Sequence, residues 1–428
     1  MILSTTWTLL FATVASLCSA APAQLCTPKY GYWGYAYVVN TQSEVDAIAQ
    51  SCTTINGSLV MYANYTGGFY LPNIRNILGS LQWRSLLRDT YSPDQPSPTT
   101  VDVPDLELVQ NSLQMGSLPA LRNFSAPKLK SVGWEVSVDY AVNVDLRALE
   151  EAEYFKYMGN VSTLRLDSLR EVRQRAFICN KDNCTESLTP DRAFDISLPS
   201  LSVVGAIELD GRYSGVALPQ LSNVSGHDFA NRGFRFGTSG GEVLNLTFPK
   251  LNYVSGGMYL NGGIGSFAMD AMRNLTTHLD ITTSALLNVT LPFEEAGYIR
   301  LEGNITGARF PNLRSWDTLL IDSREKLDCD ATTESLANTT AHTYTCRYTT
   351  KDSDSGLSTG AKAGIGAGAG VAGLLILGVL AWCIARRKRR TERLKSESNI
   401  HLDEVPPTYG EVRGQDHPPE YASTREAN

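Results

Sequence analysis

The sequence predicts a mainly β fold, a right-handed parallel β-helix or leucine-rich-repeat-like solenoid with coils of about 20 residues and disulfide-stapled ends. Two repeated features predict it: an apolar-Pro-x-Leu phrase, and the V-x-G with a short alternating strand that follows the phrase. A third feature, an uncharged apolar stretch near the C-terminus, predicts one transmembrane α-helix followed by a disordered tail. The 428 residues with 43% hydrophobic content exclude a disordered chain.

The first element is a cleaved signal peptide over residues 1–20. Its apolar run, Leu9 to Cys18, is too short to span a bilayer, and small residues suited to a signal peptidase follow around Ala20 and Ala23. The run lacks a preceding Lys or Arg, so a buried N-terminal helix stays open as the alternative. The ectodomain is then expected over residues 21–346.

The repeat is measured from the apolar residue that ends each phrase. Successive separations of 20, 20, 32, 20, 30, 21 and 41 residues indicate a unit of about 20 with two insertions and one double step. One such unit cannot bury its apolar face alone, so we expect these residues to stack coil on coil. They are Leu129, Leu149, Leu169, Leu201, Leu221, Leu251, Met272 and Leu313.

The open ends of such a stack need covers. Residues 43–52 predict a short amphipathic helix with Ser43 as N-cap and with Val45, Ile48 and Ala49 on one face. The six ectodomain cysteines fall into local pairs, although six cysteines allow fifteen connectivities. The local pairs, which would staple the two ends and one loop, are Cys26–Cys52, Cys179–Cys184 and Cys329–Cys346. They indicate an oxidising compartment, and without C-x-x-C spacing or a His cluster we expect no metal.

Eleven Asn-x-Ser/Thr sequons lie before the apolar stretch and none lies after it, which predicts a glycosylated extracellular face. The sequon asparagines are Asn56, Asn64, Asn123, Asn160, Asn183, Asn223, Asn245, Asn274, Asn288, Asn304 and Asn338.

A polar linker over residues 347–362 leads to the predicted transmembrane helix, residues 363–385. This stretch of 23 uncharged residues can cross the hydrocarbon core, and the basic run from Arg386 to Arg390 marks its cytosolic side. A GPI signal would end there, whereas 43 residues follow. We therefore expect a single-pass plasma-membrane protein with its N-terminus outside. Small-xxx-small spacing within this stretch is formed by Gly364, Gly366, Gly368 and Gly370. It indicates a homodimer through close helix packing, and the alternative is a Gly-rich span without a partner.

The cytosolic tail, residues 386–428, carries Pro-Pro-x-Tyr twice. The motif is the ligand pattern of WW domains, because its prolines are preset in polyproline II geometry and its tyrosine fills a second pocket. Resemblance to other membrane proteins with this motif implies WW domains of HECT-type ubiquitin ligases, with Lys388 and Lys395 as candidate acceptors. Two motifs allow tandem binding with avidity. The motif residues are Pro406, Pro407, Tyr409, Pro418, Pro419 and Tyr421.

Polar residues that follow the apolar strand position predict a ladder along one edge of the solenoid. Such a ladder either supplies the paired carboxylates of a polysaccharide hydrolase or satisfies turn backbone groups, and we favour the second reading. The residues are Asp167, Asp210, Asn261, Glu302 and Asp322. The G-x-S-x-G match at 237–241 and the dinucleotide-type match at 368–373 lie in contexts that exclude those sites. The aromatic cluster at 29–37 stacks on sugars or packs over the first coil, and we favour packing.

Three stretches together resemble a known family: VVNTQSEVDAIAQSCTTINGSLVMY, the repeated L-P-x-L-x-x-V-x-G phrases, and the close from Cys329 to YTC at 344–346. They are similar to the receptor L-domain-like proteins of fungi over roughly residues 26–346. That family is typified by GPI-anchored cell-wall-organisation proteins linked to the sporulation-specific wall proteins. The resemblance implies a cell-surface β-helix that acts in wall integrity without catalysis. Here a membrane helix and tail stand in place of the usual Ser/Thr-rich stalk and GPI signal.

These observations predict a surface glycoprotein, receptor-like or wall-organising, with a non-catalytic ectodomain that meets wall glycans or wall proteins. The tail is expected to recruit WW-domain ubiquitin ligases. Two alternatives are a membrane-tethered wall-polysaccharide enzyme of the β-helix type and a passive wall scaffold. We expect no cofactor and no nucleic-acid partner.

Overall fold

The computed structural model describes residues 24–84, 96–180, 192–226, 233–240, 242–336 and 340–349, together with Trp382. Its first elements are β1 (Leu25–Cys26), β2 (Tyr30–Gly31), β3 (Gly34–Val39), α1 (Gln42–Ser51), β4 (Thr54–Ile55), β5 (Ser58–Tyr62), β6 (Thr66–Tyr70), β7 (Asn76–Ile77), β8 (Leu81–Arg84), β9 (Ser97–Asp102), β10 (Leu108–Val109), β11 (Leu113–Met115), β12 (Asn123–Ser125), β13 (Ser131–Asp139), β14 (Asn143–Asp145), β15 (Glu151–Met158) and β16 (Thr163–Arg165). The remaining elements are β17 (Glu171–Cys179), β18 (Phe194–Ser197), β19 (Val203–Gly211), β20 (Tyr213–Ala217), β21 (Asn223–Val224), β22 (Phe234–Thr238), β23 (Leu244–Thr247), β24 (Tyr253–Val254), β25 (Met258–Gly262), β26 (Ile264–Ala268), β27 (Asn274–Thr290), β28 (Glu295–Arg309), β29 (Ser315–Ser323), α2 (Cys329–Ser335) and β30 (Thr340–Tyr348).

The coils between the two ends pass through three parallel ladders. The long face contains β3, β5, β8, β11, the C-terminal parts of β13, β15, β17 and β19, then β22, β25, the middle parts of β27 and β28, and most of β29 and β30. The short face contains β1, β4, β7, β10, β21, β24 and the first two residues of the longer strands. The back face contains β6, β9, β12, β14, β16, β18, β20, β23, β26 and the C-terminal parts of β27 and β28. The predicted mainly β solenoid is thereby confirmed, with about 13 coils.

The predicted stack of apolar residues forms the core. All eight are buried, and the double step between Met272 and Leu313 is filled by Phe293, which is fully buried one coil from each. The Pro phrases make the corners: Leu129 N donates to Ala126 O at 3.1 Å, which places Pro127 at the second position of a β-turn. Proline fits this position because its φ is already fixed near the value that the turn requires.

The predicted glycine after the strand is required where the chain leaves the long face. Gly303 has φ +106°, and a Cβ there would lie 1.9 Å from the Thr283 carbonyl oxygen of the previous coil. Any other residue would be strained by the backbone conformation and would also collide with the neighbouring coil.

The N-terminal end is covered by α1, whose Val45 and Ala49 are buried on the first coil. The predicted N-cap at Ser43 is wrong: the N-cap is Thr41, whose side chain accepts a hydrogen bond from Glu44 N. The Glu44 carboxylate in turn accepts a hydrogen bond from the Thr41 backbone N–H, so the two residues form a capping box. The Cys26–Cys52 disulfide joins the end of this helix to β1.

The C-terminal end is covered by α2 and by β30, which pairs with β29 as the last strand of the long face. Asp328 caps α2 by accepting a hydrogen bond from Ala331 N at 3.0 Å. The Cys329–Cys346 disulfide ties this helix to β30. Cys179 is also disulfide-bonded, while its predicted partner Cys184 lies outside the described residues.

Truncation of one stacked leucine tests whether the core carries the stability. Leu221 is fully buried, so Leu221→Ala should lower the free energy of unfolding of the full-length chain by about 3 kcal/mol in urea denaturation. Leu286 is 62% exposed in β27, so Leu286→Ala is the matched control and should change that free energy by less than about 0.5 kcal/mol. Equal effects of the two substitutions would contradict the stacked core.

Candidate functional site

The long face carries a groove of about 330 Å³ across four neighbouring coils, at β19, β22, β25 and β27. Strand alternation points two rows of side chains outward into it. The first row consists of Glu208, Arg235, Tyr259 and Asp280. The second row consists of Asp210, Gly237, Asn261 and Thr282. The groove therefore brings carboxylates, an amide, a hydroxyl, a guanidinium and an aromatic ring onto one surface.

Gly237 creates the gap in the second row. Its φ lies outside the left-handed region, so the backbone of β22 would accept a side chain. A Cβ at this position would lie 3.3 Å from Asp210 Oδ1, a contact that would crowd the carboxylate. The glycine therefore leaves open space between Asp210 and Asn261.

Tyr259 supplies the aromatic surface of the groove and is 40% exposed. Its ring leans over Gly257, where a Cβ would lie 3.0 Å from Tyr259 Cε2. The absence of a side chain at Gly257 gives the ring this room. Arg235 and Asp280 flank Tyr259 in the same row, one coil away on either side.

The acidic side chains of the first row are paired with arginines. Glu208 is hydrogen-bonded to the Arg175 guanidinium and lies 3.8 Å from Arg235 Nη1. Asp280 lies 3.5 Å from Arg300 Nη1, and Arg300 also binds Glu302. Partial burial raises the pKa of Asp280, Arg300 opposes the rise, and Glu302 adds to it.

Tyr213 supports the groove from inside the solenoid, a role that no sequence motif indicates. Its hydroxyl lies 3.2 Å from Asp210 O and 3.1 Å from Ile178 O, so it ties the end of β19 to the coil before. Complete burial raises the pKa of Tyr213 well above its usual value, and the nearby Asp210 adds to the rise. The phenol therefore stays protonated and can donate to these carbonyls.

The predicted polar ladder exists for four of its five members. The order along the row is Asp210, Gly237, Asn261, Thr282, Glu302 and Asp322. The placement of Asp167 was wrong: it lies in the β-turn from Leu166 to Leu169, between the back face and the short face. Asp167 precedes the short-face strand of its coil, whereas the other four lie one residue before the end of the long-face ladder. Asp322 is paired with Arg347, which extends the row to the last coil.

Nine of the predicted glycosylation sites fall on described residues. Asn123, Asn245 and Asn288 lie on the back face, and Asn223 and Asn274 lie on the short face. The corners between faces hold Asn56, Asn64, Asn160 and Asn304. Asn183 and Asn338 lie outside the described residues.

The aromatic cluster near the N-terminus does not pack over the first coil as we expected. Tyr30, Tyr32 and Tyr35 are 76%, 82% and 56% exposed, and only Tyr37 among the cluster's tyrosines packs against the core. Tyr30 pairs with Tyr35 across the antiparallel hairpin of β2 and β3. These three rings of the hairpin are therefore exposed and do not pack against the core.

Several predicted sites lie outside the described residues. They are the motif residues Pro406, Pro407, Tyr409, Pro418, Pro419 and Tyr421, the lysines Lys388 and Lys395, and the glycines Gly364, Gly366, Gly368 and Gly370. Among the residues that the structure does describe, no helix has the length and apolar character needed to cross a bilayer, and the predicted span at 363–385 lies outside them except for Trp382. The described residues also contain no group of acidic, His and Cys side chains arranged to hold a metal ion.

The raised pKa of Asp280 predicts a specific pH dependence of stability. The folded chain holds this proton more tightly than the unfolded chain, whose carboxyl titrates near 3.8. The free energy of unfolding should therefore fall as the pH rises from that value through the raised pKa of Asp280. Asp280→Asn should lack this fall, as measured by urea denaturation at a series of pH values. Parallel pH curves for the two proteins would refute the assignment.

Comparison with known proteins adds no relative: no family model, no curated protein and no solved structure matches the chain. The fold and the groove are therefore the observations from which function is argued.

Proposed function

We propose that the chain is a single-pass glycoprotein of the plasma membrane, receptor-like or wall-organising, whose solenoid binds wall glycans without cleaving them. Its tail recruits WW-domain proteins of the HECT-type ubiquitin-ligase class, which control its time at the surface. The fungal receptor L-domain-like family that the sequence resembles supplies the cell-wall context of this proposal.

The groove on the long face is the observation that carries the proposal. Sugars present apolar ring faces and many hydroxyls, so protein sites for them combine an aromatic surface with planar hydrogen-bonding groups. Tyr259 provides the aromatic surface, and Arg235, Asp280 and Asn261 provide donors and acceptors around it. The two rows place outward-facing positions at every coil of the groove, which suits a polymeric ligand.

A catalytic role is the second candidate, because Glu208 and Asp210 lie two residues apart on the same side of β19. Their Cα atoms are therefore about 7 Å apart, and inverting glycosidases use carboxyl groups at comparable separations. Against this role, Glu208 is hydrogen-bonded to Arg175 and lies near Arg235, which favours a fixed structural charge over a proton donor. We therefore favour binding over hydrolysis.

Binding without turnover is the result that this proposal predicts for the ectodomain. The full-length chain, purified in detergent, is incubated with insoluble wall glycans, and both bound protein and new reducing ends are measured. We expect sedimentation with the glycan and no release of reducing ends. Release by the unaltered chain that disappears in Asp210→Asn would favour the enzyme instead, and absence of binding to any wall glycan would refute the proposed ligand class.

The tail predicts control of surface lifetime by two cooperating motifs. Tyr409→Ala or Tyr421→Ala alone should weaken binding to a tandem WW-domain protein on the order of 100-fold, because the second motif no longer adds avidity. The double substitution should lengthen the half-life of the protein at the cell surface, measured by surface biotinylation.

The matched control changes Thr408 and Glu420 to Ala, the positions that Pro-Pro-x-Tyr leaves open. These variants should bind and turn over as the unaltered chain does. An unchanged surface half-life in the double tyrosine variant would refute ligase recruitment, and normal function after deletion of residues 391–428 would favour a passive wall scaffold.

A further inference from the structure

The distribution of sequons over the solenoid singles out one surface. The back face, the short face and the corners hold all nine described sequons, and the described residues of the long face hold none. N-linked glycans are bulky and cover the surface around their attachment point. Glycans at the described sequons would therefore leave the strands of the long face uncovered. The groove lies on this face.

The charges along this surface favour a ligand without net charge. Beside the groove, Glu208 is paired with Arg175 and Arg235, and Asp280 and Glu302 share Arg300. Farther along, Asp322 is paired with Arg347. Such pairs balance one another while their oxygens and N–H groups remain able to bind hydroxyls. A polyanion or polycation would have to compete with these internal partners.

The shape of the groove suggests how a chain of sugars is seated. Gly237 opens a gap between Asp210 and Asn261, and the exposed ring of Tyr259 stands beside it in the neighbouring row. Equivalent positions recur at each coil, about 4.8 Å apart along the solenoid axis. An extended polymer lying across the strands would therefore meet one position of each row at every coil.

We propose that the long face is the glycan-docking surface and that a neutral polysaccharide lies across β19, β22, β25 and β27, over Gly237 and against Tyr259. This inference rests on the proposed function and adds the site, the ligand charge and the direction of the bound chain. Oligosaccharides of β-linked glucose, galacturonic acid and glucosamine, equal in length, serve as neutral, acidic and basic probes. The neutral probe should bind the full-length chain most tightly.

A new sequon provides a direct test of the surface. Gly263→Thr turns Asn261-Gly262-Gly263 into an acceptor site, and a Cβ at Gly263 is accommodated because its nearest neighbour would lie at 3.5 Å. The exposed Asn261 would then carry a glycan inside the groove, visible as a mass increase, and binding of the neutral probe should be lost. Gly263→Ala makes no sequon and should bind as the unaltered chain does.

A second pair of variants tests the groove without relying on glycosylation. Tyr259→Ala should bind the neutral probe about tenfold more weakly, the loss expected for one aromatic contact, whereas Tyr259→Phe should retain most of the binding. Tyr253, 51% exposed on the short face of the same coil, gives the matched control, and Tyr253→Ala should leave binding unchanged.

The outcomes distinguish a failure of the docking surface from a failure of the proposed function. Neutral-glycan binding that survives both Gly263→Thr with a glycan attached and Tyr259→Ala would overturn the docking surface while leaving the proposed function intact. Loss with Tyr32→Ala but not with Tyr259→Ala would assign binding to the N-terminal hairpin, and preference for a charged probe would overturn the ligand class. If the chain binds none of the probes and no wall glycan, the proposed function itself is refuted.

Discussion

The vertical register between coils is the constraint on which the rest of the structure depends. Hydrogen bonds between parallel strands place each residue directly over its counterpart one coil away, as Ile281 over Leu260 and under Leu301. Because side chains alternate along a strand, one register places the stacked apolar side chains inside and the rows of the groove outside at once. The buried stack and the groove are thus two sides of one arrangement.

The strands on either side of the insertions still pair with their neighbouring coils. Leu169 and Leu201 are 32 residues apart, yet Glu171 still pairs with Val203 and Cys179 with Asp210. The chain between β17 and β18 is longer than the matching connections of the coils before it, and β19 still pairs with β17. A solenoid tolerates such additions because each coil contacts only its neighbours. The two rows of the groove therefore continue across a coil that is interrupted elsewhere.

The repeated features of the fold could be predicted from the sequence, and the single features could not. The repeat period of the sequence and the apolar-Pro-x-Leu phrases located the core, because the same physical requirement recurs at every coil. Thr41 and Glu44 also carried a readable capping signal, T-x-x-E, which the prediction of Ser43 overlooked. Gly237 has no such signal, because it matters only through the space that it leaves beside Asp210. That space exists only once the coils are in register. Asp167 was misplaced because following an apolar residue does not say which of three faces that residue belongs to.

The number of coils also fixes a distance. About 13 coils at about 4.8 Å each give the solenoid a length of roughly 60 Å, with the hairpin of Tyr30 and Tyr35 at one end and β30 at the other. The number of coils therefore sets the distance between the hairpin and β30 in steps of one coil. Adding or deleting a coil would change the distance between the exposed tyrosines and β30 by about 4.8 Å, without altering the side chains at either end.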